Sequence, residues 1–461
     1  MALSEGNTLP NKESSHRPPS QTLRFPGGFL WGVATAAHQV EGGNVNNQWS
    51  AWEAAGRIKS GDCCGRACDW WSNAEQDFDL AREMGVNSLR LSVEWSRIEP
   101  QEGQWDSAAL NRYREMLKGL SLRGIQPMIC LHHFSHPLWL ELRGGFLNPA
   151  AAPWFERFTR RVVSELGELC RYWVTFNEPN VYGALGYVLG EFPPGRRGEI
   201  INALRVVSTM ALAHSKAYRI IHELQPDAQV GWAHNYVVFR AWNPASPLDR
   251  GAASLLSELF NNSFLRLVEQ GRFSFPLNLL DGNGGSAKGL CDFVGLNVYS
   301  RFHVAFDLNY TSQLFARVFV PDHVPQGDKG YDTAYGEAYP RAIRVAVQRV
   351  TRLHKPIFIL ENGVPDAQDR IRPWLIVNAV QELHSLIREG HDIRGYYHWS
   401  LTDNFEWSEG WGLRFGLVAL NPKTQERTMR NSGRLYGAIV RSNQLSPEMI
   451  DQYCPSCLSV P

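Results

Sequence analysis

Eight short apolar runs, each closing on polar or aromatic residues, constrain this chain more than any other feature. In order they are FLWGVATA (29–36), NSLRLSVEW (87–95), QPMICLHHF (126–134), YWVTFNE (172–178), QVGWAHNY (229–236), DFVGLNVYS (292–300), PIFILEN (356–362) and RGYYHWSL (394–401). Between them lie stretches of helical period, for example 74–85, 109–124, 153–167 and 340–354, several of which stop at a glycine. Eight alternations of strand and helix predict a parallel sheet closed on itself, the (β/α)8 or TIM barrel of the α/β class. Length alone would suggest about three domains, but one barrel holds more than 400 residues around a single core. The expected division is a polar leader at 1–24, a barrel over 25–445 and a tail at 446–461.

Charge and composition remove several function classes. With 46 basic against 46 acidic residues the formal net charge is zero, which leaves no electrostatic footprint for nucleic acid or an anionic membrane. No window approaches 18 uninterrupted apolar residues, so no membrane span is expected. The leader is polar, proline-bearing and without an apolar stretch of the signal-peptide kind; with it, a reduced cytoplasmic setting is the simplest expectation. Eight cysteines in so large a chain do not read as a disulfide framework. Cys63, Cys64 and Cys68 sit together without a second ligand group at zinc spacing, so no metal is expected, and the CxxC at Cys454 and Cys457 lacks a redox-motif context. Sixteen tryptophans suit the apolar faces of sugar rings as well as an ordinary core.

In a barrel of this kind the carboxyl ends of the strands carry the chemistry. Here those ends collect Gln39, Glu94, His132, His133, Asn177, Glu178, Asn297, Tyr299, Glu361 and Trp399. A glutamate belongs on a wet helix face, yet Glu178 ends the apolar run YWVTFNE (172–178) with Pro179 behind it, and Glu361 ends FILEN on a nearly opposite wall. Two carboxyls flanking one bond are what glycoside hydrolysis needs: one protonates the leaving oxygen, the other attacks the anomeric carbon or activates water. Arg90 and Tyr299 are expected beside Glu361, where a cation and a phenol keep a nucleophile ionised. Glu178, with no cation assigned, is expected to be held protonated by burial and by the charge of Glu361. The bland alternatives are an internal ion pair of Arg90 with Glu94, and a metallohydrolase in which the histidines and the two glutamates hold a metal. His132 and His133 are neighbours on a strand, so only one can reach the mouth. The long connections 301–339 and 402–430 are expected as lids or binding walls, and GNGG at 282–285 as a turn.

The stretches FLWGVATAAHQVEG, LRLSVEWSRIEP, LHHFSHP, TFNEPN, GLNVYS, FILENG and WSLTDNFEWSEGWGLRFGL, in this order from Phe25 to about Val440, resemble glycoside hydrolase family 1, the retaining β-glycosidases. The resemblance implies that Glu178 is the acid/base and Glu361 the nucleophile of a double displacement. It also implies that Gln39, His133, Asn177, Glu406 and Trp407 bind the non-reducing-end sugar, with Asn177 on its 2-hydroxyl, Trp399 as its stacking floor and Phe415 near C6. Arg90 and Tyr299 then steady the nucleophile, with Asn297 in the supporting shell. No cofactor and no macromolecular partner are implied, only a small-molecule β-glycoside or disaccharide. An acid at Glu406 implies a neutral rather than a phosphorylated sugar, and the intact Glu178 and Glu361 set the chain apart from relatives that have lost a catalytic carboxylate. The expectation is a retaining exo-β-glucosidase; the alternatives are a broad β-galactosidase or β-fucosidase, a transglycosylase using the same glutamates, and a sugar-binding protein without turnover. The chain departs from the family at His38, where Tyr or Phe is common, and at Ser135 and His136, where Asp-Leu is usual.

Overall fold

The computed structural model describes residues 19–274, 278, 286–331 and 335–455. Eight parallel strands close into a barrel, here numbered β1 (Leu30–Ala34), β2 (Ser88–Ser92), β3 (Gln126–Cys130), β4 (Tyr172–Asn177), β5 (Gln229–Asn235), β6 (Val294–Asn297), β7 (Ile357–Asn362) and β8 (Ile393–His398). Each pairs with its neighbours in chain order, and β8 closes on β1 through Gly395↔Leu30 to His398↔Val33. These strands have helices outside and packed side chains inside, so they read as near-continuous apolar runs; β2 and β7 are buried along their whole length. Seven of the eight sequence runs overshoot their strands by one to four residues, because the apolar pattern continues past the last ladder pair into the mouth of the barrel; the seventh ends with its strand at Asn362.

Two glycines show how tightly the interior is filled. A Cβ on Gly32 would meet the Tyr397 ring at 2.2 Å, and one on Gly295 would meet the Leu360 side chain at 2.3 Å. The helices expected at 74–85, 109–124, 153–167 and 340–354 are Trp70–Met84, Ser107–Leu122, Ala151–Leu166 and Ala342–Val350. Asp106 caps the second of them by accepting from the amides of Ala108 and Ala109.

Both long connections are more ordered than the expected loops. After β6 the chain turns at once into a second strand, Ser300–Phe306, which pairs antiparallel with Ala316–Phe319 and Glu337–Ala338 and parallel with Val238–Ala241 from beyond β5. The resulting sheet is pinned by a buried bidentate pair, Arg301 donating to Glu337 at 2.7 Å through both Nε and Nη2. The 402–430 segment holds a short turn at Trp407–Glu409 and a hairpin of Val418–Leu420 with Arg427–Met429, anchored where Arg430 donates twice to Asp403 at 2.8 Å. In the expected tail, Pro447–Tyr453 is a helix against Asn431–Ser442, and Leu23–Arg24 of the expected leader pairs with Gln444–Leu445. GNGG and Cys457 lie outside the described residues; Cys454 is buried and disulfide-bonded. Among the described residues no helix is long and apolar enough to cross a membrane.

Candidate active site

The site lies where the strand ladders break down. Pairing slips between Val174 and Asn177 on β4 and between Ile359 and Glu361 on β7. Irregularities of this kind re-aim side chains, and these two stand directly before Glu178 and at Glu361. Glu178 itself has left-handed backbone (φ 47°, ψ 62°), an uncommon state for a non-glycine residue. Pro179 then opens the helix Pro179–Gly183 at a position where no amide proton is needed. The sequence TFNEPN thus encodes a strand, a sharp turn that carries one acid, and a helix start.

Glu178, Glu361, Tyr299, His133, Asn177, Trp399, Glu406 and Trp407 all line one cavity of about 240 Å3 at the carboxyl end of the barrel. Arg90, Asn297, Gln39 and Phe415 are fully or almost fully buried behind them. Arg90 Nη2 donates to Glu361 Oε1, and Tyr299 donates its phenol hydrogen to Glu361 Oε2. The expected cation and phenol are therefore both on this carboxylate. The Arg90 to Glu94 pair is not formed: Glu94 accepts instead from Ser135 Oγ at 2.6 Å and Ser96 Oγ at 2.8 Å, because it lies beyond the end of β2 and points toward the next loop.

Glu178 has a different environment. Its Oε1 accepts from Asn297 Nδ2 at 2.7 Å and Asn235 Nδ2 at 2.9 Å, and among the described residues no cation touches it. Burial, and secondly the charge of Glu361, push its pKa up to about 8, against the smaller opposing effects of Asn235, Asn297 and Arg90. With Oε1 occupied by two N–H donors, Oε2 is the oxygen left to carry the proton. The two acids are linked through Asn177, whose Oδ1 accepts from Arg90 Nη1 at 3.2 Å and from Asn297 Nδ2 at 3.0 Å.

That arrangement also fixes a tautomer. Since Asn177 Oδ1 accepts twice, its Nδ2 is the donor to His133 Nε2 at 3.0 Å, so His133 carries its proton on Nδ1. Burial, aided by Arg90, holds the ring neutral by pushing its pKa well below the usual value. His133 Nδ1 has no partner among the described residues. His132 points the other way, into a ring cluster with Phe146, Phe176, Tyr182 and His136.

Glu406 sits opposite, its pKa raised to about 8 by burial first and by Glu361 second. Gln39 lies behind it, donating Nε2 to Glu406 Oε2 (3.2 Å), Phe405 O (2.8 Å) and Asn404 Oδ1 (3.1 Å). Trp407, at φ 48°, is held by rings on several sides, with Trp49 at 4.7 Å, His133 at 5.8 Å and His38 nearly parallel at 5.9 Å. Phe415 packs on Tyr335 and Tyr299.

The positions that depart from the family pattern belong to the layer behind the cavity wall. His38 is fixed by Glu53 at 2.9 Å and Asn47 at 3.0 Å, Ser135 by Glu94, and His136 by Glu141 at 2.9 Å. Cys64 and Cys68 direct their thiols at the His38 and Asp403 carbonyls. Asn235 is the functional neighbour that the reading of the strand ends omitted. It ends β5 as Asn177 ends β4, so the same rule of polar residues at barrel-strand ends would have found it.

A closed eight-stranded barrel whose strands β4 and β7 bring two buried carboxyls to one mouth, Glu361 ion-paired and Glu178 not, has the architecture of a glycoside hydrolase. The family model for glycosyl hydrolase family 1 matches residues 21–445, and the chain belongs to that family. It is 31% identical to β-glucosidase A of Thermotoga maritima over 92% of this chain and 99% of that one. A solved β-glycosidase from Pyrococcus horikoshii superposes with a TM-score of 0.84 at 34% identity, covering 94% of this chain and 98% of the other. A β-galactosidase of Sulfolobus acidocaldarius is 27% identical over 93% of this chain and 97% of its own.

Proposed function

We propose that this enzyme is a retaining exo-β-glucosidase that releases a terminal non-reducing β-D-glucosyl residue by double displacement. The observation that carries this reading is the contrast between the two glutamates: Glu361 is held by Arg90 and Tyr299, whereas Glu178 is buried without a cation and raised to about 8. Glu361 attacks the anomeric carbon while Glu178 gives its Oε2 proton to the leaving oxygen. Forming the ester removes the charge of Glu361, the second cause of the raised pKa, so Glu178 becomes acidic enough to act as the base that activates water. In this reading Asn177, between both acids, holds the sugar 2-hydroxyl, and His133 Nδ1–H, Glu406 and Trp407 hold the remaining hydroxyls over Trp399, a reading supported by their shared lining of the cavity. Gln39 acts through Glu406, Asn297 through Glu178, and Phe415 through the Tyr299 and Tyr335 rings. No step requires a cofactor.

Likeness to β-glucosidases from bacteria supports the gluco preference, and likeness to a β-galactosidase supports a second reading in which the 4-epimer is also accepted. The setting we propose is cytoplasmic, supported by six free cysteines among the described residues against the one disulfide-bonded cysteine, Cys454. Time-resolved NMR of the sugar released from 4-nitrophenyl β-glucoside tests the mechanism. The β-anomer appearing first is expected; the α-anomer first would mean inversion and would remove Glu361 from its role as nucleophile. The same assay on the β-galactoside and β-fucoside ranks the configurations.

A further inference from the structure

We infer that His38 and His136 are positioning residues for the terminal sugar: acting through Asn47, Gln48 and Trp49, they hold Trp407 at the cavity wall and so set how tightly the substrate binds. The inference rests on the proposed role of Trp407 in holding sugar hydroxyls. His38 and His136 are two of the positions at which the chain departs from the family pattern, and neither of them lines the cavity.

The two rings are bound in the same way to adjacent residues. Asn47 caps the helix Gln48–Ala54, its Oδ1 accepting from the Ser50 amide at 2.7 Å, so its Nδ2 is the donor to His38 Nδ1 at 3.0 Å. His38 then carries its proton on Nε2 and donates it to Glu53 Oε1 at 2.9 Å, while Glu53 Oε2 accepts from the Cys64 amide at 2.7 Å. Gln48 Oε1 accepts from the His136 amide at 2.8 Å, so its Nε2 donates to the Phe134 carbonyl at 2.7 Å and to His136 Nδ1 at 3.0 Å. His136 also carries its proton on Nε2 and donates it to Glu141 Oε2 at 2.9 Å; His132 Nε2, at 3.4 Å, is the more distant neighbour of its Nδ1. Each unit runs from a carboxamide through an imidazole to a carboxylate. One joins the helix start to the segment after β1, the other to the segment after β3.

What the two units hold in place is Trp49, the next residue. Trp49 is fully buried, donates Nε1 to the Phe134 carbonyl at 3.2 Å, and packs its ring on Trp407 at 4.7 Å and on Phe192 at 4.8 Å. His38 covers Trp407 directly, nearly parallel at 5.9 Å. Trp407 needs this support, because left-handed backbone at a bulky residue persists only where the surroundings fix it. A phenylalanine at position 38 would accept nothing from Asn47 and give nothing to Glu53. A leucine at position 136 would do the same to Gln48 and Glu141, so that each buried carboxamide would lose a partner.

His38→Phe and His136→Leu test the inference with residues of the family pattern. Each should raise KM for 4-nitrophenyl β-glucoside about five- to twentyfold and change kcat by less than about threefold, because Trp407 holds hydroxyls away from the bond that breaks and its displacement weakens substrate and transition state alike. The double variant should fall short of the product of the two, since both loosen one helix start. KM does not depend on how much of a preparation is folded, so lost stability alone cannot produce this pattern. His214→Phe removes comparable buried bonds, to Thr175 Oγ1 at 2.7 Å and the Leu290 carbonyl at 2.6 Å, and should leave KM unchanged. Where a histidine variant does not fold, Asn47→Ser, which keeps a cap, and Gln48→Met remove the donors to the two rings and should raise KM in the same way. An unchanged KM, a fall in kcat alone, or an equal rise in His214→Phe overturns the positioning inference while wild type still hydrolyses the substrate. No turnover of 4-nitrophenyl β-glucoside or its epimers by wild type overturns the functional reading beneath it, and the inference with it.

Discussion

The β4 and β7 walls of the barrel present the same side chain to the same cavity and treat it in opposite ways. On β7, Glu361 meets a guanidinium and a phenol, both of which favour a negative charge. On β4, Glu178 meets two carboxamides and, among the described residues, no cation, and burial decides the outcome in favour of the proton. The lesson is that a pair of chemically identical groups takes two roles through their partners, and that the difference is set by Arg90 standing on β2, within reach of one acid and not in contact with the other.

The comparison is broken most completely by removing its charged member. Glu361→Gln should lower kcat on 4-nitrophenyl β-glucoside on the order of 10^5-fold, since no other group on the wall can form the ester. Glu178→Gln should depend on the leaving group. Hydrolysis of an alkyl glucoside should drop roughly 10^3- to 10^4-fold, while the first step on a dinitrophenyl glucoside, whose phenolate leaves unaided, should be nearly spared. Equal losses on both substrates would contradict the acid role.

Smaller changes sharpen the contrast. Tyr299→Phe removes one donor from Glu361 and should cost about 10- to 100-fold in kcat with little change in the pH limb that belongs to Glu178. Asn235→Ala removes a donor that favours the ionised form of Glu178, so the alkaline limb of kcat/KM should move to higher pH with only a modest loss of rate. In wild type that limb is expected near pH 8, activity falling as Glu178 loses its proton.

The raised pKa also has a consequence for stability. A carboxyl whose folded-state pKa lies above its unfolded value stabilises the fold fully below the unfolded value, about 4.5 here, and that contribution is lost as pH rises toward about 8. Glu178→Gln and Glu406→Gln should therefore raise Tm by a few degrees at pH 8 and by less at pH 4.5, measured by calorimetry. The effect is the smallest of the set and places part of the molecule's instability in its active site.

Much of this was legible in the chain itself. The eight strands follow from apolar runs with polar ends because a parallel strand covered on both faces has no amphipathic alternation to confuse its pattern. The sheet at 300–338 was hidden for another reason: three of its four strands hold only two to four residues, and it is assembled from segments some 60 residues apart in Val238–Ala241 and Ser300–Phe306. The pairing of Arg90 with Glu361 rather than Glu94 depends on where a side chain points at the end of β2, which spacing does not encode. Asn235 differs from both, since its position at a strand end was readable and only its partner was not.

The central claim is that Glu178 is protonated in the free enzyme and becomes acidic once Glu361 is esterified. Carbon-13 NMR of Glu178 in protein carrying labelled glutamate carboxyls, assigned by Glu178→Gln, would follow its titration before and after trapping Glu361 with a slow 2-fluoro glucoside. A titration near pH 8 in the free enzyme that falls clearly in the trapped one is the predicted result. A Glu178 that titrates near its ordinary value of 4.5, or that does not respond to esterification, would contradict the account.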